Sequence, residues 1–267
     1  MRFSANIAEL KPSATIAVST LAKKLAAEGR DILNLSAGEP DFDTPAFICD
    51  AAVAGIRGGQ TRYTPPPGIP ALRKTIAQRL SERAGRELDW NGVVVTAGAK
   101  QALFNAFFTL FGPGDEVLVA APYWTTYPDL LTIARATSKA VFGDEADDFK
   151  LTVDILDGAV SEATRGLVIN TPSNPTGAVY SLEELTAIMA WAKGRGIWVI
   201  CDEIYQNIYH GDDSVAAPGI FDVPEESLGD YVVIDGASKT YAMTGWRLGF
   251  SYCAPELAKK FSALQSQ

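Results

Sequence analysis

Histidine and cysteine are scarce in this chain of 267 residues, which contains one histidine and three cysteines. Cys49, Cys201 and Cys253 are far apart and show no CxxC spacing, so neither a disulfide framework nor a zinc site is expected, and no other metal site is indicated. Reduced thiols of this kind favour a cytoplasmic protein. The single histidine, His210, lies in a loop-like segment and no G-x-S-x-G motif is present, which excludes a Ser-His-Asp hydrolase of the usual pattern.

Long apolar runs and an excess of positive charge are also missing. No run approaches the roughly 20 residues that a membrane span needs, so membrane insertion is not expected. The chain has 23 Lys and Arg against 32 Asp and Glu, a net charge of −9. This acidic balance argues against nucleic acid as a partner, because a phosphate backbone is held mainly by cations.

Short apolar runs alternate with helical patterns along almost the whole sequence. The runs at 93–95, 167–170 and 197–201 lack the polar alternation of a half-exposed strand and are typical of buried parallel strands. Helical patterns at 13–28, 70–84 and 181–193 stand between such runs, and Thr44-Pro45 predicts an N-cap followed by a first helical proline. The sequence therefore predicts an α/β fold with a mostly parallel sheet covered by helices.

Residues that follow the strands deserve inspection, because ligands of open α/β sheets bind outside the carboxyl ends of the strands. Four such segments carry polar side chains in a distinctive order, at 96–100, 170–177, 201–205 and 235–249. Within them, Asn174-Pro175-x-Gly177, Asp202, Ser238-Lys239 and Arg247 are specific as a set and weak one by one. The segment at 98–100 lacks G-x-G-x-x-G, which argues against a dinucleotide enzyme.

These motifs resemble those of fold-type-I pyridoxal-phosphate enzymes, specifically class I aminotransferases of the prokaryotic aspartate aminotransferase kind. The resemblance runs from Lys11 to the last residue and includes the segments 38–42 and 63–73. It implies a three-layer αβα cofactor-binding large domain over 34–267, preceded by an N-terminal arm and first helix of the small domain over 1–33. Relatives continue well past Gln267, so the C-terminal part of the small domain is expected to be absent.

The resemblance assigns the catalytic roles to three residues. Lys239 is expected to hold pyridoxal phosphate as a Schiff base and then to move a proton at the substrate α-carbon. Asp202 is expected to keep the pyridine nitrogen protonated, which the cofactor needs to act as an electron sink. Tyr205 and Asn174 are expected to hydrogen-bond the phenolic oxygen of the cofactor, and Trp124 to stack on the pyridine face.

The cofactor phosphate is expected to bind where a strand turns into a helix, on the free backbone amides of Gly98, Ala99 and Lys100. Ser238 would donate a hydroxyl hydrogen bond to the phosphate, and Arg247 would bind it through a bidentate guanidinium. In this family a tyrosine at the position of Tyr63 reaches the phosphate of the neighbouring subunit. The resemblance therefore implies a homodimer with shared sites.

Aspartate and 2-oxoglutarate are the expected substrates, an amino acid and a 2-oxo acid. The residues expected to bind them are Gly38, Trp124, Asn174, Thr15 and Lys100. Two alternatives keep the same cofactor residues: another pyridoxal-phosphate enzyme such as a β-lyase, and a truncated, catalytically silent cofactor-binding protein. The family arginine for the substrate α-carboxylate has no match up to Gln267, so poor transamination is expected of this form.

Overall fold

A seven-stranded sheet organises the structure, a computed structural model that describes residues 3–8, 10, 12, 14–36, 38–211 and 216–267. The strands are β1 (Val93–Thr96), β2 (Glu116–Ala121), β3 (Thr137–Phe142), β4 (Thr164–Asn170), β5 (Trp198–Asp202), β6 (Tyr231–Gly236) and β7 (Gly249–Tyr252). Their order is β1-β7-β6-β5-β4-β2-β3. Among the described residues, β7 runs antiparallel to both of its neighbours, β1 and β6, and all other strand pairs are parallel, so the predicted mostly parallel sheet is confirmed.

Helices cover both faces of the sheet. The helices are α1 (Ala5–Ala8), α2 (Ala14–Ala27), α3 (Ala46–Arg57), α4 (Pro70–Ala84), α5 (Ala99–Leu110), α6 (Thr126–Ala134), α7 (Val153–Ala159), α8 (Leu182–Arg195), α9 (Ala237–Thr240) and α10 (Pro255–Gln265). One apolar core lies between the sheet and α4, α7 and α8, and a second lies between the sheet and α5, α6 and α10. These two cores give the predicted three-layer αβα arrangement.

Local sequence signals explain where several helices begin and end. The Ser181 hydroxyl accepts from the Glu184 amide while the Glu184 carboxylate accepts from the Ser181 amide, and this reciprocal capping box starts α8. The same helix ends at Gly196, whose φ of 63° is easy for glycine. None of the helices among the described residues combines the length and apolarity needed to cross a membrane.

One local prediction was wrong. Thr44 does not cap α3: Pro45 occupies the N-cap position, and the Thr44 hydroxyl donates to the Ala242 carbonyl oxygen at 2.6 Å. This contact with a distant part of the chain overrides the local capping preference. Arg247 follows a short 3₁₀ turn, Thr244–Trp246, with a φ of 54°, and β7 begins two residues later.

Candidate active site

Lys239 lies in α9, directly after the carboxyl end of β6. Its Nζ donates a hydrogen bond to the Gly38 carbonyl oxygen and lies 5.7 Å from the centre of the Tyr205 ring. Burial lowers the pKa of the Lys239 amine, and the Glu39 carboxylate opposes that shift. The neutral, nucleophilic form of this amine is therefore easier to reach than that of an exposed lysine.

Asp202 is the last residue of β5 and is only 2% exposed. The Tyr127 hydroxyl donates to its Oδ2 at 2.7 Å, and the Ile204 amide donates to its Oδ1 at 3.3 Å. Burial raises the pKa of the Asp202 carboxyl to about 6, although both hydrogen bonds oppose the shift. A buried carboxylate with so few donors is suited to meet a cationic partner.

Asn174 and Tyr205 form a pair at the edge of the same site. The Asn174 Nδ2 donates to the Tyr205 hydroxyl at 3.3 Å. Asn170, at the end of β4, fixes this arrangement, because its Oδ1 accepts from the Asn174 amide at 2.7 Å and its Nδ2 donates to the Asp202 carbonyl oxygen at 2.8 Å. The ends of β4 and β5 are thus tied together by hydrogen bonds.

The predicted phosphate-binding segment begins α5. Gly98 has a φ of 85° and provides no side-chain cap, so the first amides of the helix are left for another acceptor. A Cβ at Gly98 would collide with Arg247 Nη2, which shows that the missing side chain makes room for the guanidinium. Arg247 Nη1 is held by the Thr244 carbonyl oxygen at 2.9 Å, and Ser238 is buried at the start of α9.

Trp124 and Lys100 lie beside each other at the amino ends of α6 and α5. The Lys100 ammonium lies 4.9 Å from the centre of the Trp124 ring, and the Tyr127 ring meets the same indole edge-on at 5.7 Å. The Trp124 ring and the Lys100 ammonium therefore lie next to each other at one edge of the site.

One expected residue, Tyr63, is not brought into this group, because its side chain is fully exposed. The side chain of Thr15 lies outside the described residues. Conversely, the structure adds Tyr127, which contacts both Trp124 and Asp202. The i, i+3 spacing of Trp124 and Tyr127 at the start of a helix is the signal that sequence reasoning missed.

Comparisons with known proteins place this geometry in a family. A probable aspartate/prephenate aminotransferase of Rhizobium leguminosarum bv. phaseoli is 41% identical over 98% of this chain, and an aspartate aminotransferase of Streptomyces avermitilis is 42% identical over 99%. The chain spans 65% of the length of each of these relatives.

Solved structures agree with the sequence relatives. The aspartate aminotransferase of Thermotoga maritima superposes with a TM-score of 0.91 at 39% identity, covering 99% of this chain and 69% of its own. That of Thermus thermophilus with maleate gives 0.92 at 38% identity, with 100% and 69% coverage. The family model described as aminotransferase class I and II matches residues 30–267. The resemblance drawn from the motifs is thereby confirmed, as is its cofactor: the chain belongs to the aminotransferase class I and II family of pyridoxal-phosphate-dependent enzymes.

Proposed function

We propose that this protein transfers an amino group between an amino acid, aspartate first, and a 2-oxo acid such as 2-oxoglutarate, with pyridoxal phosphate attached to Lys239. The observation that carries the proposal is the convergence of the Lys239 amine, the buried Asp202 carboxyl and the Asn174–Tyr205 pair at the carboxyl ends of β4, β5 and β6. The names of the relatives, aspartate and aspartate/prephenate aminotransferase, support the same reaction class.

The residues present fit the cofactor in three separate ways. Lys239 offers an amine whose pKa is lowered by burial, as attack on an aldehyde near neutral pH requires. Asp202 offers a buried anion for a protonated ring nitrogen. The uncapped start of α5, together with Arg247 in the space beside Gly98, offers amides and a guanidinium to a phosphate group.

Each of these residues has a task in the proposed reaction. When bound, pyridoxal phosphate withdraws electrons from the bonds of the substrate α-carbon. Lys239 Nζ takes the proton from that carbon, because a partly buried amine with a lowered pKa is an effective base near neutral pH. Asp202 holds positive charge at the base of the site, and Asn174 and Tyr205 present hydrogen-bonding groups that orient the bound molecules.

The preference for a dicarboxylate rests on Lys100. Its ammonium lies at 4.9 Å over the Trp124 ring and supplies a cation at the site for a second carboxylate. The Thermus thermophilus structure was solved with maleate, a dicarboxylate. Gly38, Trp124 and Asn174 are proposed to complete the substrate site, with Thr15 from the N-terminal segment.

A homodimer with shared sites is part of the proposal. The Tyr63 side chain is fully exposed. Large apolar side chains are also exposed on α3, at Phe47 and Ile56, and just before that helix, at Phe42. Such a surface favours burial against a second copy. Residues 34–267 are proposed as the large cofactor-binding domain, and 1–33 as the N-terminal arm and first helix of the small domain. A cytoplasmic location is proposed with them, because Cys49, Cys201 and Cys253 are all free.

The attachment site can be tested directly. The purified protein is mixed with pyridoxal phosphate, reduced with borohydride, digested and mapped by mass spectrometry. We expect the pyridoxyl group on Lys239 and no label on that peptide in Lys239→Ala. The matched control is Lys259→Ala, which removes an exposed lysine that pairs only with Glu256 among the described residues and leaves labelling unchanged. Labelling at another lysine would refute the assignment.

The reaction class is tested on the same preparation. Addition of aspartate is expected to convert bound cofactor slowly to its amine form, with release of oxaloacetate in a single slow turnover, and 2-oxoglutarate is expected to reverse the spectral change. Release of pyruvate without a 2-oxo acid acceptor would support a β-lyase instead. Cofactor attachment with no spectral response to any amino acid would support a catalytically silent protein.

A further inference from the structure

Asp202 depends on one side chain for its hydrogen bonding. Among the described residues, the Tyr127 hydroxyl is the only side-chain donor to this carboxyl, at 2.7 Å from Oδ2. The other donor is the Ile204 amide, whose 3.3 Å contact to Oδ1 is long. Tyr127 is 2% exposed and comes from α6, a different element from the strand that carries Asp202.

None of the other titratable groups near Asp202 stabilises its ionised form. Tyr127 faces it from α6 and Tyr205 from the turn after its own strand, whereas Cys201 and Asp235 lie nearby on the opposite face of the sheet. All four are acids, and none of them brings a positive charge. Stabilisation of the Asp202 anion therefore falls on the Tyr127 hydroxyl, and a hydrogen bond to an ionised group is stronger than one between neutral groups.

Tyr127 also contacts the Trp124 ring. Its ring meets Trp124 edge-on, with 5.7 Å between the ring centres and an interplanar angle of 89°. The hydroxyl thus reaches the carboxylate on one side while the ring edge supports the indole on the other. Because Tyr127 is fully buried and packed in the core beside α5, both contacts are held in fixed positions.

We infer that Tyr127 is a positioning residue that couples the Asp202 carboxylate to the Trp124 ring and so prepares both for the cofactor. This inference rests on the proposed function, since it concerns the same site. Its chemical consequence is specific: loss of the hydroxyl makes ionisation of Asp202 harder, so cofactor affinity falls most at the low end of the pH range. Loss of the ring additionally releases Trp124.

The experiment measures the dissociation constant of pyridoxal phosphate from pH 5.5 to 8.5, by absorbance and by the circular dichroism of the bound cofactor. For Tyr127→Phe we expect about tenfold weaker binding at pH 7, the factor that one charged hydrogen bond provides. The affinity should recover as the pH rises, with an unchanged dichroism signal at saturation. For Tyr127→Leu we expect the same pH shift and an altered dichroism signal, because the ring edge against Trp124 is gone.

The matched control is Tyr180→Phe. Tyr180 is 3% exposed, and its hydroxyl accepts from the Leu151 amide at 2.8 Å, so this change also removes a buried hydroxyl that makes one hydrogen bond. It should lower thermal stability without moving the pH profile of binding. A Tyr127→Phe profile parallel to that of the wild type would overturn the inference. Failure of the wild type to bind the cofactor would instead refute the proposed function, so the two failures are distinguishable.

Discussion

Asp235 is a half-buried acid that the proposed reaction does not use, and removing its charge should stabilise the protein. Asp235 lies in β6 on the opposite side of the sheet from Asp202 and borders a cavity of about 840 Å³ beneath α4. Its Oδ1 accepts from the Gly236 amide at 2.6 Å. Burial, together with the nearby carboxylates of Glu203 and Asp202, raises the pKa of the Asp235 carboxyl from 3.8 to about 8, although the Gly236 amide and Arg83 oppose the shift.

The sign of the effect on stability follows from the direction of this shift. Since the folded state binds the Asp235 proton more tightly than the unfolded state, its stability is complete below about pH 4 and declines as the pH rises toward 8. At pH 7 the difference of roughly 3 pH units is worth at most about 4 kcal/mol. The cavity admits water, so we expect about 1–2 kcal/mol in practice.

The variant that tests this reasoning is Asp235→Asn, which keeps an acceptor for the Gly236 amide and cannot ionise. Urea unfolding at pH 4.5, 7 and 8.5 should show little difference from the wild type at the lowest pH. The stabilisation should then grow to about 1–2 kcal/mol at pH 7 and above. Asp222→Asn serves as a control of opposite sign, because Asp222 accepts from Arg83 Nε at 3.1 Å and its loss leaves that guanidinium without its carboxylate.

A pH-independent gap between Asp235→Asn and the wild type would refute the reasoning, since a constant difference is a packing effect and not a proton-linked one. A variant that is less stable than the wild type at pH 8.5 would refute it more strongly. In that case the ionised carboxylate would itself be stabilising, which requires a cationic partner for Asp235.

Three further predictions follow from single contacts. Gly98→Ala places a Cβ against Arg247 Nη2 at a φ of 85° and should weaken pyridoxal phosphate binding about tenfold in an absorbance titration. Arg73→Met removes hydrogen bonds to two backbone carbonyls and the stacking on Trp90 at 4.5 Å, and should cost about 2–3 kcal/mol in urea unfolding. Ser181→Ala removes the α8 cap and should cost about 1 kcal/mol in the same assay without affecting cofactor binding.

Much of the fold could be predicted because its signals are local. The apolar runs at 93–95 and 167–170 lie within β1 and β4, and the run at 197–201 begins one residue before β5. The predicted helix from Pro70 ends at Ala84, one residue before a glycine with a φ of 62°. A buried parallel strand needs a continuous apolar run, and a helix end needs a glycine or a cap. Short stretches of sequence are enough to meet both requirements.

The rest could not be predicted because it depends on contacts between distant residues. Tyr127 and Asp202 are separated by 75 positions, and no local pattern indicates their hydrogen bond. The position of Arg247 likewise depends on the space left by Gly98, 149 positions earlier in the printed sequence. Local sequence preferences determine where helices and strands form. Which side chains meet depends instead on how the sheet brings those helices and strands together.

Asp202 and Glu203 illustrate this limit, because these two adjacent acids lie at the end of β5 and only one of them faces the proposed cofactor. Successive side chains of a strand point to opposite faces. Asp202 pairs in register with Ile234, which packs in the core beside α5 and α6, and that face also carries Tyr127. Glu203 points the other way, where it accepts from the Ile220 amide at 2.7 Å. Burial raises the pKa of both carboxyls, to about 6 and about 7, so titration alone does not distinguish them. The two acids are distinguished by the face of the sheet on which each side chain lies, and the register of β5 against β6 determines that face.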